Sequence, residues 1–131
     1  MKEDEPMKRN VWLAAGAFNM LVAVSAGAFG AHGLKAILSA DMLAIWQTAV
    51  HYQMAHALGL IAISVLLQKS EEAWLRRSGI AMLAGIVIFS GSLYLLALTG
   101  VRWLGAITPI GGVAFLAAWA MLIRAAWLPS R

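Results

Sequence analysis

The sequence contains no cysteine among its 131 residues. Disulfide bonds, thiolate nucleophiles and thiolate metal sites are therefore excluded, although this absence says nothing about the compartment. Charge is also scarce, because 12% of the residues are charged, against about a quarter in an ordinary soluble domain. The carboxylates lie at the ends of the apolar segments and none lies inside one, so paired-carboxylate catalysis has no candidate residues there.

Hydrophobic residues make up 62% of the chain and are concentrated in four uncharged runs, at 10–34, 42–68, 78–101 and 103–123. Each run is at least as long as the roughly 20 residues that a helix needs to cross a hydrocarbon core. The sequence therefore predicts an all-α integral membrane four-helix bundle, with helices at about 11–31, 41–67, 78–98 and 108–127. We expect a single transmembrane domain over 10–131 after a disordered charged leader over 1–9.

The Lys and Arg residues are distributed unequally between the two ends of the predicted bundle. The termini and the connection between the second and third helices hold eight of the ten, and Lys35 and Arg102 are the two on the other side. Because cytoplasmic connections are enriched in these residues, both termini are expected to face the cytoplasm. The net charge of +4 is then explained by topology and lipid headgroups, and no nucleic-acid partner is expected.

Small residues recur where helices are expected to pack. One face of the first predicted helix carries Gly16, Asn19, Ala23, Gly27 and Gly30, and Gly85 and Gly111 hold similar positions in the third and fourth helices. Such residues let helix backbones approach closely in lipid, and Asn19 is expected to hydrogen-bond across helices. A nucleotide-binding interpretation of the glycines fails, because that motif requires a preceding strand and a βαβ unit.

The densest polar segment is WQTAVHYQMAH, residues 46–56, in the second predicted helix. The hairpin between the first two helices is expected to bring His32 toward Tyr52, Gln53 and His56. This candidate cluster has three interpretations: a buried hydrogen-bonded cluster that joins the two helices, a proton, ion or metal site, or a pocket for an organic ligand such as a quinone. His51 lies on another face and is interpreted as interfacial.

Three stretches resemble one known family: GAFGAHGLK at 27–35, WQTAVHYQMAHALGL at 46–60 and LGAITPIGG at 104–112. The family is the YgdD-type group of small membrane proteins, the domain of unknown function 423, and the eukaryotic transmembrane protein 256 is similar. The resemblance runs from about Val11 to Trp127. The matching positions are Gly30, His32, Gly33, Tyr52, Gln53, His56, Thr108, Pro109 and Gly111. It implies a location in the bacterial inner membrane and implies no activity.

From these features we expect a non-enzymatic membrane module that acts alone, as a homo-oligomer or as an accessory subunit of a larger membrane complex. No catalytic residue, metal site or cofactor is predicted, and the lipid bilayer is the expected surrounding. The alternative is a small transporter or a ligand- or ion-binding protein that uses the His/Tyr/Gln cluster near the non-cytoplasmic side.

Overall fold

The structure, a computed structural model, describes residues 9–128. It contains four long helices: α1 (Val11–His32), α2 (Ala40–Lys69), α3 (Ala73–Thr99) and α4 (Thr108–Trp127). Each lies in a helical segment that is long and apolar enough to cross a membrane. The predicted all-α architecture with four membrane-spanning helices is therefore confirmed. The predicted leader lies, apart from Arg9, outside the described residues.

The helix ends follow from local hydrogen-bonding chemistry. The first backbone N–H groups of a helix have no intrahelical partner. At the starts of α1, α2 and α3, such N–H groups donate hydrogen bonds to side-chain oxygens of Asn10, Ser39 and Glu72. Gly100 ends α3 with φ of 72°, a left-handed conformation that glycine adopts without steric cost. Pro109 lies in the first turn of α4, where its missing N–H costs nothing.

Two helix boundaries differ from the sequence-based expectation. The third helix begins at Ala73, where 78 was predicted, because Arg76 and Arg77 are part of its first turns. Charged side chains at a membrane interface can be part of a helix. The charges of Arg76 and Arg77 therefore did not show where the connection between α2 and α3 ends. The second helix extends to Lys69, and only Ser70–Glu72 connect it to α3. This short connection makes α2 and α3 antiparallel neighbours.

One π-helical turn, Ile86–Ser90, interrupts the middle of α3. Such turns add a residue locally and rotate the side chains that follow. Here the turn places the Ser90 hydroxyl 2.8 Å from the Ala49 carbonyl oxygen of α2, to which it donates a hydrogen bond. The turn also places Phe89 beside Gly111 of α4. The π-helical turn therefore lies where α2, α3 and α4 meet.

The second helix is the centre of the bundle, since it packs along α1 on one side and against α3 on another, while α4 packs mainly on α3. Buried apolar residues form one cluster around Leu60, Met82 and Phe115 and a second around Trp46 and Val50. With 30 residues, α2 is about 45 Å long and exceeds a hydrocarbon core of about 30 Å.

Candidate functional site

The small residues of α1 lie where α2 approaches most closely. A Cβ atom at Gly16 would lie 2.7 Å from Ile61 Cγ1, and one at Gly30 would lie 2.7 Å from the Trp46 ring. A Cβ atom at Gly27 would lie 3.3 Å from Val50 Cγ1, and Ala23 is fully buried. The structure thus places these predicted packing residues of α1 in the contact with α2.

The glycines of α3 and α4 make room for aromatic rings instead. Gly85 lies against Phe115 of α4, and a Cβ atom at Gly111 would lie 2.7 Å from Phe89 Cβ. Nearer the start of α3, the buried Ser78 hydroxyl donates to the Ala118 carbonyl oxygen at 2.7 Å. The predicted packing residues Gly85 and Gly111 therefore lie at the contact between α3 and α4, where large side chains meet small ones.

A chain of hydrogen bonds joins α1, α2 and α3 through Gln53. Its amide nitrogen donates to Asn19 Oδ1 at 3.1 Å, and its amide oxygen accepts from the Tyr94 hydroxyl at 2.7 Å. Asn19 also donates to the Ala15 carbonyl oxygen. Asn19 and Gln53 are buried, so these contacts satisfy polar groups that lipid could not. The expected hydrogen bond of Asn19 across helices is present.

The imidazole of His56 has a partner at each nitrogen. Nε2 accepts from the Trp119 indole N–H at 3.0 Å, and Nδ1 lies 2.7 Å from the Tyr52 carbonyl oxygen. Because a carbonyl oxygen can only accept, Nδ1 carries the proton and the ring is the neutral tautomer. The ring also stacks on Phe115, with centroids 3.6 Å apart. His56 is therefore a hydrogen-bonded link between α2 and α4.

A groove of about 420 Å³ lies beside His56, between α2, α3 and α4. Its wall is mostly aromatic, with Tyr52 packed on Phe89 at a centroid distance of 4.4 Å. Tyr52 is 44% exposed, and its hydroxyl has no hydrogen-bond partner among residues 9–128. This hydroxyl is the free polar group of the groove, because both nitrogens of His56 are engaged.

The structure does not bring His32 to this cluster. Gly30 lies beside Trp46 and Gly16 beside Ala57, so the end of α1 is level with the first turns of α2. His56 is ten residues beyond Trp46, about 15 Å further along the helix. His32 is exposed, and the expected proximity to His56 is not found. The short connection between α1 and α2 does not determine the register of the hairpin.

Sequence reasoning missed Tyr94, Trp119, Ser78 and Ser90 as polar partners. Tyr94 and Trp119 stand deep in apolar runs, where a phenol or an indole N–H needs a partner, and this was the available signal. In the sequence, Ser78 stood out only as a small residue, and Ser90 only as a hydroxyl without a nearby base. Within the described part of the chain, no three His, Asp or Glu side chains converge as metal ligands do.

The outward face of α2 carries a second set of polar side chains, Gln47, Thr48 and His51, all of them exposed. Thr48 donates to the Ala44 carbonyl oxygen of its own helix at 3.0 Å. Gln47 and His51 have no side-chain hydrogen bond to any residue that the structure describes. Their positions are level with Gly30 and Gly27, in the last two turns of α1. We call Gln47 and His51 the open polar pair.

Four apolar helices packed around satisfied polar links define a multi-pass membrane protein with four transmembrane spans. The chain belongs to the DUF423 family, described as a protein family of unknown function, whose profile matches residues 26–112. It is 50% identical over 117 residues to the UPF0382 membrane protein YwdK of Bacillus subtilis, covering 88% of this chain and 95% of the relative. A UPF0382 membrane protein of Staphylococcus saprophyticus is 50% identical over 113 residues, covering 86% and 93%. No solved structure matches the chain.

Proposed function

We propose that this protein is a non-enzymatic membrane module that acts by lateral association, with a second copy of the chain as its partner. The observation that carries the proposal is the open polar pair. Gln47 and His51 are separated by one helical turn, point outward and are unpaired among the described residues. A transmembrane helix that exposes two such groups gains free energy when another helix provides their hydrogen bonds.

The contrast with the centre of the bundle supports this proposal. Buried side-chain nitrogen and oxygen atoms all have hydrogen-bond partners within residues 9–128. The inward polar groups of α2 are therefore engaged in holding the fold, and those facing outward remain available. The engagement of both His56 nitrogens likewise favours a structural role for the predicted cluster over acid–base chemistry.

A second copy fits the open polar pair for reasons of depth and chemistry. Copies inserted with the same orientation place Gln47 and His51 at the same depth, so a two-fold axis normal to the membrane brings identical groups together. An amide and an imidazole can each both donate and accept hydrogen bonds, so the pair is complementary to itself. Small Ala44 and Ala55 lie exposed on the same side of α2, one turn before and after the pair.

The proposed setting is the bacterial inner membrane with both termini in the cytoplasm. The support is the unequal distribution of Lys and Arg and the bacterial relatives named above. In this orientation the open polar pair lies toward the non-cytoplasmic side. An accessory role in a larger complex is the related outcome, in which a different membrane helix occupies the same face.

Cysteine cross-linking in membranes tests the association, and the cysteine-free chain suits the method. A single cysteine at Ala44 is expected to form a disulfide-linked dimer on mild oxidation. A cysteine at Val113, 65% exposed on α4, is the control and is expected to remain monomeric. Equal cross-linking at the two positions would indicate random collision and contradict the proposal, as would no cross-linking at Ala44.

The groove beside Tyr52 supports a second candidate function, the binding of a hydrophobic ligand with a hydrogen-bond acceptor. The support is the Tyr52 hydroxyl, which has no partner in the described part of the chain and lies in an aromatic groove of about 420 Å³. A membrane-soluble quinone has the required flat ring and carbonyl acceptors. Binding of a short-chain quinone, followed by tryptophan fluorescence quenching, should weaken in Tyr52→Phe. Unchanged affinity in that variant would remove this candidate.

A further inference from the structure

A cleft of about 510 Å³ lies at the end of the bundle that holds both termini. It is formed by the start of α1, the last turns of α2 and the first turns of α3. Three exposed polar side chains line it: Arg9, Gln68 and Arg76. The apolar residues Val11, Leu13 and Leu67 provide the adjoining wall. A positively charged opening therefore continues into an apolar surface that faces the bilayer.

Neither arginine of the cleft is neutralised within the described residues. Arg9 and Arg76 form no ion pair with any carboxylate there, and neither has a further interaction. The neighbouring Arg77 differs, since its guanidinium lies 4.6 Å from the centroid of the Trp74 ring. Arg124 packs on the same ring at 5.0 Å. Two of these four arginines thus have aromatic partners, and the two in the cleft have no partner among residues 9–128.

We infer that this cleft binds the headgroup of an anionic phospholipid, with the phosphate between Arg9 and Arg76. A guanidinium provides parallel N–H donors that match the oxygens of a phosphate. The arginines come from different elements, so one phosphate between them would connect the start of α1 to α3. Gln68 adds a neutral donor for a glycerol headgroup.

The apolar wall distinguishes a phospholipid from a soluble anion. Residues Val11 and Leu13 lie just inside the start of α1, and Leu67 lies near the end of α2, so acyl chains can extend along them into the bilayer. A free phosphate would use the two arginines and leave this wall unused. A zwitterionic lipid brings a choline group whose positive charge opposes the same arginines.

Lipid retention in native mass spectrometry tests the site with the full-length chain in mixed phosphatidylglycerol and phosphatidylcholine. The wild type is expected to retain phosphatidylglycerol preferentially. Arg9→Gln with Arg76→Gln should reduce that preference roughly ten-fold or more, since charge-assisted hydrogen bonds from a guanidinium to a phosphate are about twice as strong as neutral ones. Both side chains are exposed, so the variant is expected to keep the wild-type unfolding temperature.

Arg77→Gln with Arg124→Gln is the matched control, because it removes two positive charges from the same interface, and neither residue lines the cleft. It is expected to retain the lipid preference of the wild type. A loss as large as in Arg9→Gln with Arg76→Gln would show general surface attraction and overturn the inference. Displacement of the lipid by millimolar inorganic phosphate would identify a soluble anion as the occupant and would also overturn the inference. Equal retention of both lipids by the wild type would do the same.

Discussion

The inward and outward faces of α2 both carry amide and imidazole groups, but in opposite states. Inward, Gln53 and His56 are buried, and their hydrogen bonds to Asn19, Tyr94 and Trp119 join all four helices. Outward, Gln47 and His51 are exposed and unpaired among the described residues. The difference shows that the same polar residue types can hold one chain together or remain available to another, depending on the helix face.

The largest effect is expected from Gln53→Met, which keeps the side-chain length and removes both hydrogen bonds. The partly buried Tyr94 hydroxyl and the Asn19 amide oxygen would lose a partner, so the variant should be less stable by about 2–4 kcal/mol. Unfolding in mixed micelles measures the change. Combining it with Asn19→Leu and Tyr94→Phe should restore part of the loss, because no polar group is then left unpaired. A triple variant less stable than the single would contradict this account.

A packing change at the contact of α3 and α4 should have the next largest effect. Gly111→Ala places a Cβ atom 2.7 Å from Phe89 Cβ, and overpacking of this kind costs about 1–3 kcal/mol. Gly112→Ala is the adjacent control, since its Cβ would lie at an ordinary 3.8 Å from Phe89. The control should be neutral or slightly stabilising because alanine favours helix. Equal losses in the two variants would mean that the close approach at Gly111 is unimportant.

A smaller effect is expected for the link between His56 and Trp119. In a double-mutant cycle with His56→Phe and Trp119→Phe, the coupling free energy should be about 0.5–1.5 kcal/mol, the range of interhelical hydrogen bonds in membranes. Phenylalanine keeps an aromatic ring at each position, so the cycle isolates the hydrogen bond. Zero coupling in unfolding measurements would show that the contact contributes nothing to stability.

The smallest effect on stability is expected on the outward face. Gln47→Leu with His51→Leu should change the free energy of unfolding of the monomer by less than about 0.5 kcal/mol, since both side chains are exposed and neither hydrogen-bonds to a described residue. Unfolding at high detergent-to-protein ratio, where copies are separated, measures this value. A loss comparable to that of Gln53→Met would place these residues in the fold itself.

The sequence predicted the parts of the fold that depend on length, apolar runs and capping. The bounds of α1 and α4 and the Gly100 end of α3 follow from such local signals. The π turn at Ile86–Ser90 was not predictable, because it results from packing between helices that are distant in sequence.

The polar residues of the candidate site could be predicted from the sequence, but their hydrogen-bond partners only in part. Gln53 and His56 stood out because polar residues in an apolar run need hydrogen bonds. Their partners depend on the register between helices, which the connection lengths do not determine. This is why His32 was grouped with His56, whereas Trp119, 63 positions away in the chain, is its hydrogen-bond partner.

The central claim is that the outward face of α2 associates with a second copy while the inward face holds the fold. Energy transfer between donor- and acceptor-labelled chains in liposomes, measured over a dilution series in lipid, tests it most directly. The account predicts dimers in the wild type and a roughly five- to thirty-fold weaker association in Gln47→Leu with His51→Leu, from the loss of about 1–2 kcal/mol of interhelical hydrogen bonding. Identical dilution curves for the two proteins would contradict it.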